Sequence, residues 1–298
     1  FIIAVLCFLI RVREKTTPDQ NVSIDSQSVR PSPNDEADIR WISLQQSWAF
    51  LSELTATYSE IQRLALMDYL ESPGTWSIKW QGLSDLETRV KIHFTERYSE
   101  QSMYDVVDEI IKPSCARDGA PIALVLNNWQ LAKTDGYVIH VWQQPFHEFI
   151  SALRQVYVGF LSKPNLFISA CSMFQGSFAE AHQYVGQSVK EAPFAVAMKP
   201  VDHVVVVQSC ESDLFARGWC LIELVCASKL RFLPSKFYAV GPDTFINSDI
   251  SVLDAKCSRL DDQSRIIEAL LAEGEVSKVN HDIAALRRFT NAAPPSTG

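Results

Sequence analysis

The chain has 298 residues, of which 47% are hydrophobic and 21% charged, and this balance suits one large domain with a buried core. A net charge of −8 at pH 7, with no basic stripe among the aromatic residues, argues against nucleic acid as a partner. The seven cysteines contain no C-x-x-C and the six histidines no H-E-x-x-H, so neither a disulfide framework nor a metal site is predicted. Unpaired thiols of this kind are typical of a cytoplasmic protein.

The first and last segments have no pattern of a folded core. Residues 1–13 start with FIIAVLCFLI and continue with basic residues, and this apolar run is about half of the roughly 20 residues that a membrane span needs. It is interpreted as the end of a span, which would attach the protein to the cytoplasmic face of a membrane through residues 1–10, as a signal-like segment, or as a helix packed on the domain. Residues 14–38 predict a disordered linker and residues 291–298 a disordered tail.

Residues 39–133 predict a helical extension. From 39 to 70 apolar side chains recur every three or four residues, which predicts one long amphipathic helix or two short ones, broken at Pro73. Two sequences of capping-box form, at Ser84 and Ser102, predict further helix starts.

The first of these helices is expected to run to about Tyr98. The second, SMYDVVDEII, is expected to end at Pro113, because proline lacks the N–H that a helix interior requires.

From residue 134 to 290 the pattern changes to alternating strands and helices. Five strands are predicted, at residues 137–142, 166–170, 204–207, 237–240 and 250–253. The helices between and after them are predicted at residues 145–157, 178–189, 219–230, from a cap at Asp261 or Asp262 to 271, and 279–289. This alternation predicts an α/β fold with a doubly wound parallel sheet of about five strands, most simply in the flavodoxin-like order 2-1-3-4-5.

Ligands of such sheets collect at the carboxyl ends of strands one and three, where the winding reverses. The loop after strand one contains Trp142 and Phe146, and the loop after strand three leads into Arg217 and Trp219. No G-x-G-x-x-G, P-loop or G-x-S-x-G motif occurs, so the usual dinucleotide-binding, P-loop and α/β-hydrolase sites are disfavoured.

Glu223 is the one charge in the apolar run from Trp219 to Ala227. A buried carboxylate costs free energy unless a nearby group pairs with it or the protein uses it. Glu223 is expected in the early turns of the third helix, beside the crevice, either as a chemical group or as a carboxylate bonded to loop amides. His140, among apolar neighbours on strand one, is expected to be a core histidine with its hydrogen bonds satisfied.

The chain resembles the TIR (Toll/interleukin-1 receptor-like) domain superfamily. GWCLIELVCA, residues 218–227, looks like the W-C-x-x-E-L signature of that family, and YVIHVWQQPFHEFISAL and NLFISACSMFQ resemble its first two strand segments. SMYDVVDEIIKPSC, followed by ALVLN, looks like an uncharacterised TIR-like group of algae and other protists. The resemblance covers about residues 102–290.

This resemblance implies a signalling protein that associates with other TIR-like domains, of its own or another kind. In catalytically active members the signature glutamate cleaves NAD at the nicotinamide–ribose bond, and by motif match that role falls on Glu223. NAD is then the substrate rather than a cofactor. Trp142, Phe146 and Trp219 would offer aromatic faces, and Arg217 a contact to the diphosphate.

The resemblance is incomplete in two loops at the mouth of the crevice. Where the protist group has T-H-x-W-G-E-P-F, the Gly and Glu are Gln143 and Gln144 here. Where a W-I-D-x-x-x-x-N-Q pattern is expected in strand two, its Asp and Asn positions hold Ser169 and Phe174. Two hypotheses follow: an NAD glycohydrolase that depends on Glu223, and a catalytically inactive interaction or scaffold module.

Overall fold

The computed structural model describes residues 59–175, 193–230, 236–242, 251–257, 260–272, 274 and 276–290. The predicted N-terminal apolar segment, the linker, most of the first predicted helix, the helix at 178–189 and the C-terminal tail lie outside these residues. Among the described residues, no helix has both the length and the apolar character that crossing a membrane requires.

The described chain is a mixed α/β structure with one parallel sheet. Its helices are α1 (Glu60–Glu71), α2 (Trp80–Phe94), α3 (Met103–Val106), α4 (Lys112–Asp118), α5 (Ile122–Leu126), α6 (Phe146–Val156), α7 (Ser169–Ser172), α8 (Pro193–Met198), α9 (Gly218–Lys229), α10 (Leu260–Leu271) and α11 (Val276–Thr290). Its strands are β1 (Gly136–His140), β2 (Leu166–Ile168), β3 (His203–Val207) and β4 (Phe237–Val240).

The four strands are all parallel, in the order β2-β1-β3-β4. The α/β class and the first four predicted strands are therefore confirmed. The predicted fifth strand is wrong in its described part, because Val252–Asp254 is a 3-10 helix. Ser251 favours this turn, since its hydroxyl accepts a hydrogen bond from the backbone N–H of Leu253 at 3.3 Å. The five-stranded flavodoxin-like arrangement stays a prediction.

Helices cover both faces of the sheet, as in a doubly wound fold. Tyr137 and Val204 point to a core formed with α1, α8, α9, α10 and α11, here called the α9 face. Val138 and Val205 point to a second core formed with α2, α3, α5, α6 and α7, here called the α6 face. Every residue of β1, β2 and β3 is buried, which explains why these strands lack an alternation of apolar and polar residues.

The upstream helices begin and end where tertiary contacts place them. The predicted start at Ser84 is wrong: α2 begins one turn earlier, where the backbone N–H of Lys79 donates to Asn127 Oδ1 at 2.9 Å. The α-helix then ends at Phe94, short of Tyr98, and the chain continues in a 3-10 helix.

The start predicted at Ser102 is confirmed, with both hydrogen bonds of the capping box formed. Pro113 does not end that helix. A π-helical turn, Val107–Ile111, precedes the proline, and the helix continues through α4 to Gly119, which adopts the left-handed conformation (φ 53°). The wider turn accommodates a residue that has no N–H to donate.

The upstream helices are joined to the sheet by backbone and side-chain contacts. Ile78 exchanges two backbone hydrogen bonds with Leu166, both of 2.9 Å, and so covers the edge of β2. On the α6 face, the buried carboxylate of Glu87 accepts hydrogen bonds from Lys91 at 2.8 Å, from Tyr98 at 3.2 Å and from both terminal nitrogens of Arg154 on α6. These contacts attach α2 to the α/β part of the chain.

Gly136 provides a test of how tightly β1 and β3 pack. A Cβ at this position would lie 2.6 Å from His203 Nε2, and that ring is fixed by a 2.7 Å hydrogen bond with the Tyr157 hydroxyl. We therefore expect Gly136→Ala to lower the free energy of unfolding in urea by about 1–3 kcal/mol. Gly159→Ala is the control, because no atom lies within 4 Å of its added methyl. Equal stability of the two variants would contradict the tight packing described here.

Candidate functional site at the carboxyl edge of the sheet

The winding of the chain reverses between β1 and β3, which are neighbours in the sheet. The chain leaves β1 towards α6 on one face and leaves β3 towards α9 on the other. Ligands and partners of doubly wound sheets bind where two such connections diverge. The carboxyl ends of these two strands, with loops 141–145 and 208–217, are here called the carboxyl edge.

The loop after β1 is fixed by residues far upstream. The backbone N–H groups of Met103 and Tyr104 donate to the carbonyls of Gln144 and Trp142, both at 3.1 Å. The N–H of Phe146 donates in turn to the carbonyl of Gln101 at 2.7 Å. The start of α3 therefore forms one wall of the carboxyl edge, and its backbone fixes the loop after β1.

Three partly exposed side chains meet at this edge and are here called the edge cluster: Trp142, Tyr104 and Arg217. The guanidinium of Arg217 donates to the Tyr104 hydroxyl at 3.0 Å, although the two residues are 113 positions apart. The Tyr104 and Trp142 rings lie 5.5 Å apart in an edge-to-face arrangement. The structure thus brings two predicted site residues together through a tyrosine that the sequence did not single out.

The other two predicted aromatic residues point into the fold. Phe146 is completely buried on the α6 face, with its ring centroid 6.4 Å from that of Phe149. Trp219 packs edge-on against Phe194 of α8, at 6.5 Å, and is only partly exposed. In this conformation the Phe146 ring has no free face for a nicotinamide or an adenine.

Glu223 lies inside the α9 face, below the carboxyl edge. Its Oε1 accepts a 2.7 Å hydrogen bond from the hydroxyl of Tyr137, the second residue of β1, and its exposed fraction is 7%. Cys220, one turn earlier in α9, reaches the far end of the strand, where its thiol donates to the carbonyl of His140 at 3.3 Å. The helix therefore descends from the carboxyl edge, and the described hydrogen bond of Glu223 is with a tyrosine, not with the loop amides of one of the two sequence-based alternatives.

The surroundings of Glu223 keep its carboxyl group neutral. Burial raises its pKa to about 8, and the Tyr137 hydrogen bond offsets only part of that effect. Burial and the neighbouring Glu223 carboxyl also raise the pKa of Tyr137 well above its ordinary value and that of the Cys226 thiol to about 12. At neutral pH these three side chains are therefore mainly in their neutral forms.

Several buried polar atoms lie near the carboxyl edge without a hydrogen-bond partner in the described part of the chain. His140 is a core residue as predicted; neither ring nitrogen has a hydrogen bond of good geometry, and burial lowers its pKa to about 4 although a backbone contact with Val141 opposes the shift. Gln144 donates from Nε2 to the Gln208 carbonyl at 3.2 Å, while its Oε1 and that of Gln143 lack a described partner. One of the two glutamines that depart from the family pattern thus joins the loops after β1 and β3.

No family model matches the chain, and no curated protein or solved structure was found to match it. The fold and the site geometry are therefore the grounds on which a function is proposed.

Replacing Glu223 by glutamine tests the neutral carboxyl. Because folding raises the pKa of Glu223 from an ordinary 4.5 to about 8, its contribution to stability is complete below pH 4.5 and is lost as the pH rises through about 8. Glutamine keeps an oxygen for Tyr137 and cannot ionise. We expect Glu223→Gln to match the unchanged protein near pH 4.5 and to exceed its unfolding free energy by on the order of a few kcal/mol at pH 8. Urea titrations at several pH values measure this, and a difference that does not vary with pH would contradict it.

Proposed function

We propose that this chain is a TIR-like signalling module that acts by protein association and that its signature glutamate has a structural role. The observation on which this rests is that Glu223 is buried and hydrogen-bonded to Tyr137. The TIR-like assignment is supported by the parallel order β2-β1-β3-β4 and by the position of W-C-x-x-E-L in α9, which starts at the carboxyl edge.

Cleavage of a nicotinamide–ribose bond needs a carboxylate close to the ribosyl centre, where it stabilises positive charge or acts as a nucleophile. A carboxyl group that stays neutral up to about pH 8 supplies little negative charge at neutral pH. The tyrosine that binds it is itself packed, since the Tyr137 and Phe167 rings stack with centroids 4.5 Å apart and both are completely buried. These features favour the inactive module over the enzyme.

The edge cluster is the proposed association surface. Trp, Tyr and Arg are the residue types that dominate binding energy at protein interfaces. Here all three are partly exposed and held in place by the Arg217–Tyr104 hydrogen bond and by the backbone bonds of Tyr104. The proposed partner is a second TIR-like domain, either a copy of this chain or a related one. The described cysteines are all free, in keeping with a proposed location in the cytoplasm.

Cleavage of NAD is the second candidate, and the edge cluster is the observation that favours it. Arg217 would contact a diphosphate and Trp142 an aromatic base at the edge where ligands of such sheets bind. This candidate further requires that Glu223 leave its contact with Tyr137 and become exposed.

Association is tested by light scattering and by binding to an immobilised second copy or a related TIR-like domain. We expect Arg217→Ala to weaken association at least about tenfold, since it removes one member of the cluster and the hydrogen bond that this arginine donates to Tyr104. Arg89→Ala is the matched control, because Arg89 is exposed on α2, on another element. A chain that stays monomeric at high concentration and retains no TIR-like partner would contradict the proposal.

Nicotinamide release from NAD distinguishes the two candidates. We expect the unchanged protein and Glu223→Gln to give the same release as a blank without protein, even at high protein concentration. Because the glutamine variant is expected to be fully folded, a loss of activity in it could not be ascribed to unfolding. Release by the unchanged protein that disappears in Glu223→Gln would establish the enzyme and overturn the inactive module.

A further inference from the structure

The described contacts of the last helix, α11, include a row of buried side chains that ends at an arginine. Val279, Ile283 and Arg287, spaced four residues apart, are buried against the α9 face. Its neighbours Lys278 and His281 are exposed.

Arg287 ends this row in a buried ion pair. Its Nη2 lies 3.0 Å from Asp213 Oδ2, and both side chains are 6% exposed. The other oxygen of Asp213 accepts the backbone N–H of Phe215 at 3.0 Å, and the Arg287 guanidinium lies over the Phe215 ring at 4.3 Å. Arg287 thus contacts both Asp213, which caps the turn before α9, and the ring of Phe215 within that turn.

The turn at residues 213–217 positions Arg217 of the edge cluster. Leu214–Ala216 is a 3-10 helix capped by Asp213, and the N–H of Arg217 donates to the Leu214 carbonyl at 3.2 Å. The next residue, Gly218, begins α9. A displacement of Asp213 would therefore move the backbone from which Arg217 reaches Tyr104.

A second path joins α11 to the same turn. Near the other end of the helix, Asn280 accepts the N–H of Val252 at 2.8 Å and donates to the Ser251 hydroxyl at 3.1 Å. Further along that segment, the backbone of Lys256 donates to Ala216 at 2.8 Å and accepts from Gly218 at 3.0 Å. Two residues of α11 are thus connected to the turn at 213–218: Arg287 directly, and Asn280 through the segment 251–256.

We infer that α11 is a regulatory clamp: its docking sets the position of the Asp213–Arg217 turn and, through it, the edge cluster. Undocking of α11 removes the partner of Asp213, loosens the turn and releases Arg217 from Tyr104. The coupling between helix and turn is independent of what the edge binds, whereas its regulatory consequence rests on the proposed association.

The test is amide hydrogen exchange, resolved by residue, on the full chain. In Arg287→Met we expect the amides of 215–217 to exchange at least about tenfold faster, together with those of α11, while β1 and α2 keep their rates. Arg287→Lys, which retains a positive charge for Asp213, should recover most of the protection. Lys278→Met is the matched control, since it removes an exposed charge from the same helix, and it should leave the turn unchanged.

The possible outcomes separate the coupling from the function. Faster exchange confined to α11, or a uniform increase over the whole sheet, would overturn the coupling. If Arg287→Met does not fold, Asp213→Asn, which keeps the acceptor for the Phe215 N–H, replaces it under the same criteria. If the turn exchanges faster in Arg287→Met but association keeps its strength, the regulatory role is overturned. If the protein without substitutions never associates, the proposed function is overturned and the coupling between helix and turn still stands.

Discussion

The rest of the structure depends on one constraint, which is that α9 must be buried from solvent on all sides. This helix is apolar on every side, so the sheet alone cannot bury it, and α8, α10 and α11 complete the enclosure. Its one carboxyl group is enclosed with it and is neutral at neutral pH, because burial outweighs the single hydrogen bond from Tyr137. A sequence feature that suggests chemistry is here part of the packing that joins the helix to β1.

The side chains at the carboxyl edge and the carboxyl group of Glu223 lie at different depths in the fold. The edge has an arginine and two aromatic rings that are partly exposed and held rigidly, which suits recognition of a preformed surface. The carboxyl group is buried near the amino end of β1, where it is bonded to Tyr137, whose ring stacks on Phe167. The exposed side chains and the buried carboxyl group therefore lie at different depths, and this difference is the basis of the proposed binding role.

The sequence predicted those parts of the structure that depend on local pattern. The Val204–Val207 run indicated a strand buried on both faces, and Ser102 with Asp105 indicated a helix start; both are confirmed. The failures lie where distant residues decide. Ser84 has the form of a cap, but Asn127 places the helix start earlier, and the partnership of Tyr104 with Arg217 has no local sign because each residue is ordinary in its own segment. The depth of Glu223 likewise depends on how far α9 descends along β1, which spacing within the helix does not reveal.

The two backbone hydrogen bonds between Ile78 and Leu166 affect the order in which the protein folds. The edge of β2 is completed by a residue synthesised long before it, and α2 buries its apolar side against elements that follow. The upstream helices therefore leave the ribosome with exposed apolar surface and find their partners only after β1, α6 and β2 have been made. Contacts so distant in sequence slow folding, and we expect the apolar surface of the upstream helices to favour aggregation while it is exposed.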